Sequence, residues 1–188
     1  YLNEATALLN LGFLSTKIKT NTESSSSYYE RCLLSLNTNF DTDHIRDVNL
    51  EQSVVELYAK CFIGLINSHL SQKDILNASL YAHSMLDFTL KQMQKSKSPK
   101  LDKYLKCMEI NACSKLAVCY ARQNRLSDAI KLHEREALLA QELNNILYLT
   151  RAYSHLGHLL HASKDYQGAI SYYKLILAKI ETNLVTSG

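Results

Sequence analysis

Three histidines recur at three-residue intervals in RAYSHLGHLLH: His155, His158 and His161, with Arg151 four residues before the first. On a helix each step of three turns the side chain through about 300°, so the imidazoles fan over roughly 120°. A metal site on one helix wants histidines at i and i+4 with a carboxylate in reach. This stretch supplies neither, so no metal ligand and no cofactor is expected. Imidazoles beside an arginine suit contact with a protein partner, and such contact would respond to pH between about 6 and 8. Asn111, Ser114, Lys115 and Arg122 fall on the equivalent side about 40 residues earlier, and Asn10, Lys60 and Asn67 before them. None of these is a carboxylate. A basic, amide-rich row favours an acidic peptide or helix: arginine grips carboxylates in bidentate fashion, and asparagine pairs with peptide backbone. The expected partner-binding residues are Asn67, Lys115, Arg122, Arg151, His155 and His158. Reversing charge at Arg151 and Lys115 together is expected to abolish binding and leave helicity and melting unchanged. The competing reading is a row of long side chains that only solvate a surface.

The elements that must position these residues are clearest in Leu147 to Glu181. Tyr153, Leu156, Gly157 and Leu160 make one helical stripe, and Ala169, Ile170, Tyr173, Leu177 and Ile180 make a second. Lys164-Asp165 separates them, and Asp165 is a suitable N-cap. Gly157 and Ala169 stand where the two helices must lie close together. Shifted back by 40 residues, the pattern lands on Leu116-Ala117, Tyr120 and Ala129, with Asn124 in the turn. That predicts helices over about 100–123 and 126–142. Fainter copies follow at Phe62, Leu65, Ile66 and Ala78, where Gly64 is the nearest small residue and Asp74 a cap. Leu8, Leu11, Gly12 and Tyr28-Tyr29 give a fourth, through an expanded turn at Asn21–Ser27. Two connectors, Asn37 to Asn49 and Lys95 to Lys100, read as non-helical. The expectation is one helical-repeat domain over 1–188, with hairpins at about 1–36, 50–95, 100–143 and 146–183. Because Tyr1 opens inside an apparently helical segment, the chain is expected to be a fragment of a longer protein.

Leu-Gly-x-x-Leu, eight residues, then Ala-x-x-x-Tyr resembles the tetratricopeptide repeat (TPR). The stretches AIKLHEREALLAQELNN (129–145) and RAYSHLGHLL (151–160) are similar to the long, 40-residue repeats of Pins/LGN-type scaffolds. The resemblance implies an all-α, TPR-like right-handed solenoid of about four antiparallel hairpins, eight helices in all. It also implies a protein–protein interaction scaffold or adaptor that holds a partner segment in a concave groove. Chaperone-binding repeats grip a terminal carboxylate with a lysine and asparagine clamp. Ile63 and Lys115 break that pattern, and His155 and His158 replace the asparagines usual beside the Leu-Gly pair of Pins/LGN repeats.

The rest of the sequence narrows the classes. Few breakers (five Gly, one Pro) and 46% apolar residues argue for an all-helical chain. A net charge of +3 implies no nucleic acid by itself. Lys91 to Lys131 carries ten basic residues against three acidic, an excess of seven, but only Tyr104 and Tyr120 as aromatics, so base stacking is not suggested. Five cysteines without a Cys-x-x-Cys pair read as buried thiols in a reducing compartment, cytoplasm or nucleus. No apolar run approaches the roughly 20 residues that span a bilayer. Phosphate loops, nucleophile elbows and zinc-protease motifs are missing, so no enzyme, catalytic residue or small-molecule substrate is expected. Ser98 and Ser24–Ser27 are the serines open to phosphorylation. A second class stays open: a structural subunit or spacer of a larger assembly, docking by its convex and end surfaces. A third is a nucleic-acid-binding helical repeat.

Overall fold

A computed structural model describes residues 1–18, 24–40, 42, 45 and 47–186, with side chains through Thr182. Among them the chain is all α: α1 (Leu2–Ile18), α2 (Ser25–Asn39), α3 (Val48–Ser71), α4 (Ile75–Lys95), α5 (Pro99–Arg122), α6 (Leu126–Glu142), α7 (Ile146–Ala162) and α8 (Tyr166–Thr186). Local chemistry sets the ends. Asp47 Oδ1 accepts from the Asn49 and Leu50 amides, Asp74 Oδ1 from Asn77, Asn145 Oδ1 from Tyr148 and Asp165 Oδ1 from Gly168. Each satisfies an amide that the first helical turn leaves unpaired. Pro99 opens α5, where its missing N–H is no loss. Four turns pass through a left-handed residue: Lys73 (φ 61°), Asn124 (62°), Asn144 (50°) and Lys164 (67°). The asparagines are expected at such positions; the lysines carry no such signal.

The stretch 37–49 differs from expectation at its edges, because α2 runs on to Asn39 and α3 begins at Val48. Asn21–Glu23 of the expanded turn lie outside the described residues.

Each helix packs on the next in sequence. The first helices of successive hairpins also lie close, α1 with α3, α3 with α5 and α5 with α7, whereas α4 and α2 meet through a side chain, Tyr81 Oη donating to Glu30 Oε1 at 3.0 Å. The array therefore bends around its first helices, which form the inner row of a helical-hairpin repeat. Two apolar clusters run through it. One reaches from Ala5 to Cys119 and holds Leu36, Val54, Ile66, Met85, Leu101 and Leu105 fully buried; the other joins Ile110 to Leu139, Leu149 and Leu156. Each fully buried leucine or isoleucine contributes about 1.5–3 kcal/mol over exposure.

Small residues set the helix spacing. A Cβ on Gly157 would stand 2.7 Å from the Tyr173 ring. Tyr29 meets two glycines in this way: a Cβ on Gly12 would come within 2.7 Å of it and one on Gly64 within 2.5 Å. Gly64, not Ile66, is thus the close-approach residue of the second hairpin.

The second stripe of the opening template is not core throughout. Ala169 is buried, but Ile170 is 45%, Leu177 60% and Ile180 45% exposed. The corresponding positions of α6, Ile130, Ala137 and Ala140, pack in the second cluster, Ala137 and Ala140 fully buried. Helix α8 meets only α7 among the described helices.

Candidate functional site on the inner row of helices

Two clefts among the described residues open on the inner row. One, about 480 Å³, lies between α1 and α3 and is lined by Leu9, Asn10, Phe13, Tyr29, Lys60, Ile63, Gly64 and Asn67. The other, about 310 Å³, is lined by Val118, Ala121, Arg122, His133, His155, His158 and Leu159. Asn10, Lys60 and Asn67 stand together in the first cleft, and Arg122, His155 and His158 in the second. The apolar members carry no sequence signal separate from the core pattern. Phe13, 56% exposed, is nonetheless a large aromatic off the buried stripe of α1, and that offset is how it could be found.

Between the clefts, α5 is tied to α3. Lys115 Nζ donates to Asn67 Oδ1 at 2.8 Å, and Arg122 Nη1 donates to the Leu70 carbonyl at 3.1 Å. Burial, and then the charge of Arg151, hold the Lys115 ammonium below the ordinary lysine range. His155 is lowered by burial first and by His133 next. His158 is exposed, with its ring edge to Tyr173 at 6.1 Å. His161, outside the cleft, meets Tyr166 in the same way at 5.4 Å.

One correction concerns Arg151. The expected row itself holds no carboxylate, but Glu136, fully buried on α6, engages Arg151 from outside it. His133 Nδ1 is 2.8 Å from Glu136 Oε2. Arg151 Nε donates to Oε1 at 2.8 Å, and its Nη2 lies 2.7 Å from the same oxygen. Burial pushes the Glu136 carboxyl up, but the bond from His133 and the charge of Arg151 outweigh it and hold it low. Arg151 is therefore engaged inside the fold, with its guanidinium also 4.9 Å from the Tyr148 ring centre. Reversing its charge would strand Glu136, so the expectation of unchanged melting fails. Glu109 on α5 repeats the device: it is buried, and Arg135 Nε donates to it at 2.9 Å.

A further feature of the site was not expected. His155 lacks an acid on its own helix, but one ligand-capable atom from each of His133, Glu136 and His155 lies within 4.8 Å of the others. The sequence signal was present on α6, where Ala129, His133, Glu136 and Ala140 fall at i, i+4, i+7 and i+11. Two polar residues thus occupy a small-residue stripe.

Comparison with known protein families matches residues 112–147 and 152–184 to the tetratricopeptide repeat. A search of curated proteins finds no match. The two matched segments take in the second half of α5 from residue 112, all of α6, α7 apart from residues 148–151, and α8 through residue 184.

Proposed function

The chain belongs to the tetratricopeptide-repeat superfamily, and on that premise we propose that it is a non-catalytic adaptor that holds an acidic segment of a partner protein along its inner row of helices. Repeats of this family serve protein–protein interaction and scaffolding. One observation carries the finer reading. The residues lining the two clefts include Lys60, Arg122 and three histidines but no carboxylate, and they alternate with Leu9, Phe13, Ile63, Val118 and Leu159. Such a surface favours a peptide or helix that is acidic between apolar anchors. Lys115 and Asn67, already joined, present one shared polar rung between the clefts. No helix among the described residues is long and apolar enough to cross a membrane.

A second reading, a structural subunit docked by an end surface, draws on the exposed stripe of Ile170, Leu177 and Ile180 on α8. One experiment separates the two. Binding of the authentic partner is measured for Lys60→Glu with Arg122→Glu, and for Ile170→Asp with Leu177→Asp. The groove reading expects at least a tenfold loss for the first pair, with melting little changed because the Arg122–Leu70 bond it removes is exposed, and none for the second; the reverse result establishes end docking. In the groove case affinity also falls as salt rises.

A further inference from the structure

Helix α6 brings His133 and Glu136 to its buried stripe, and the alanines on either side, Ala129 and Ala140, let neighbouring helices lie close. His155 of α7 then meets His133 ring to ring, with centroids 4.6 Å apart. We propose that His133 and His155, whose ligand atoms lie within 4.8 Å of each other and of Glu136, begin a binding site for a divalent transition ion of the zinc class, which His158 completes from its exposed place in the same cleft, with Glu136 as the carboxylate that orients His133. This does not depend on what the groove holds.

Four observations support the site. The Nδ1 edge of His133 is occupied by Glu136 Oε2 at 2.8 Å, which leaves Nε2 on the far edge as a ligand. Histidines that bind metal are commonly held this way, by a carboxylate on the other ring nitrogen. Glu136 is itself fixed, since Arg151 holds its second oxygen. His155 Nδ1 is buried with no hydrogen-bond partner, so one imidazole of the pair is left unmatched by the protein. Lastly, all three histidines line the same open cleft, with His158 exposed one turn beyond His155, so an ion has a path in.

Imidazole ligands select zinc, copper or nickel over magnesium or calcium. Two guanidinium groups of this region are engaged elsewhere, Arg151 on Glu136 and Arg122 on the Leu70 carbonyl. Three nitrogens leave a tetrahedral ion one open position, facing the cleft.

The test is calorimetric titration of the full chain, free of any affinity tag and stripped with chelator, with zinc chloride. A cobalt titration read in the visible spectrum reports the geometry. One zinc per chain at micromolar affinity or tighter is expected, with a tetrahedral cobalt spectrum and a rise in melting temperature reversed by EDTA. His155→Gln should abolish binding, His158→Gln should weaken it at least tenfold, and His161→Gln should leave it unchanged. No stoichiometric uptake, or uptake indifferent to His155→Gln and His158→Gln in variants that melt as the parent does, overturns the site. His133→Gln is not needed, because it disturbs the buried Glu136.

Discussion

Glu136 is fully buried and shares its two oxygens between helices: His133 on its own α6 and Arg151 on α7. A carboxylate that stays charged away from water gains little net stability from its partners, but removing one partner is costly. Arg151→Met should therefore lower stability by about 2–3 kcal/mol, toward the low end of the range for broken buried pairs, because the guanidinium keeps some contact with water. Adding Glu136→Gln should restore part of that loss, so a double-mutant cycle by chemical denaturation should give strong coupling; additive losses would count against the pairing. The small residues of this region were legible in the sequence, since Gly157 and Ala169 sit on an apolar pattern that demands close approach. Glu136 was not. In HEREALLAQE it looks like one more acid on a polar face, and what buries it is a neighbour supplied by tertiary packing.

At the level of the helix, the caps and turns explain why boundaries read well where they did. Asp74, Asn145 and Asp165 announce their helices by type, and Asn124 and Asn144 announce left-handed turns. Lys73 and Lys164 adopt the same backbone region without any preference for it, so the periodicity on either side, not the turn residue, located those hairpins. The Asp74 cap leads to a pH prediction. Its carboxyl is held below the ordinary value by the Asn77 side-chain amide first, then by the Asn77 backbone amide, with His69 assisting against a small cost of desolvation. A carboxyl lowered in the folded state contributes fully above its unfolded value of about 4, and that contribution is lost as pH falls through the folded value. Melting temperature should therefore drop below about pH 4 more steeply in the parent than in Asp74→Asn, which keeps a capping side chain but has no charge to lose. Parallel acid limbs in the two proteins would refute the assignment.

Across the molecule, each helix packs on its chain neighbours, and the first helices also lie close from one hairpin to the next. That arrangement makes the inner row the surface on which Asn67, Lys115, Arg122, His155 and His158 come within reach of one partner, although they span over 90 residues of sequence. The repeat offset expects these residues on one side. It did not separate those facing open clefts from Arg151, which the fold uses internally. The exposed stripe on α8 has a further consequence. An array that is stabilised step by step behaves as a one-dimensional chain, in which an end unit has one interface where an inner unit has two. The hairpin that carries the plainest repeat pattern, α7 with α8, has one such interface among the described residues. Under native conditions the α8 amides should exchange with deuterium through local opening, at free energies well below those of α4 and α5, which should exchange only when the whole array unfolds. In this chain, clarity of pattern and depth of protection should run in opposite directions; equal protection of α8 and α5 would show that the array opens as a single unit.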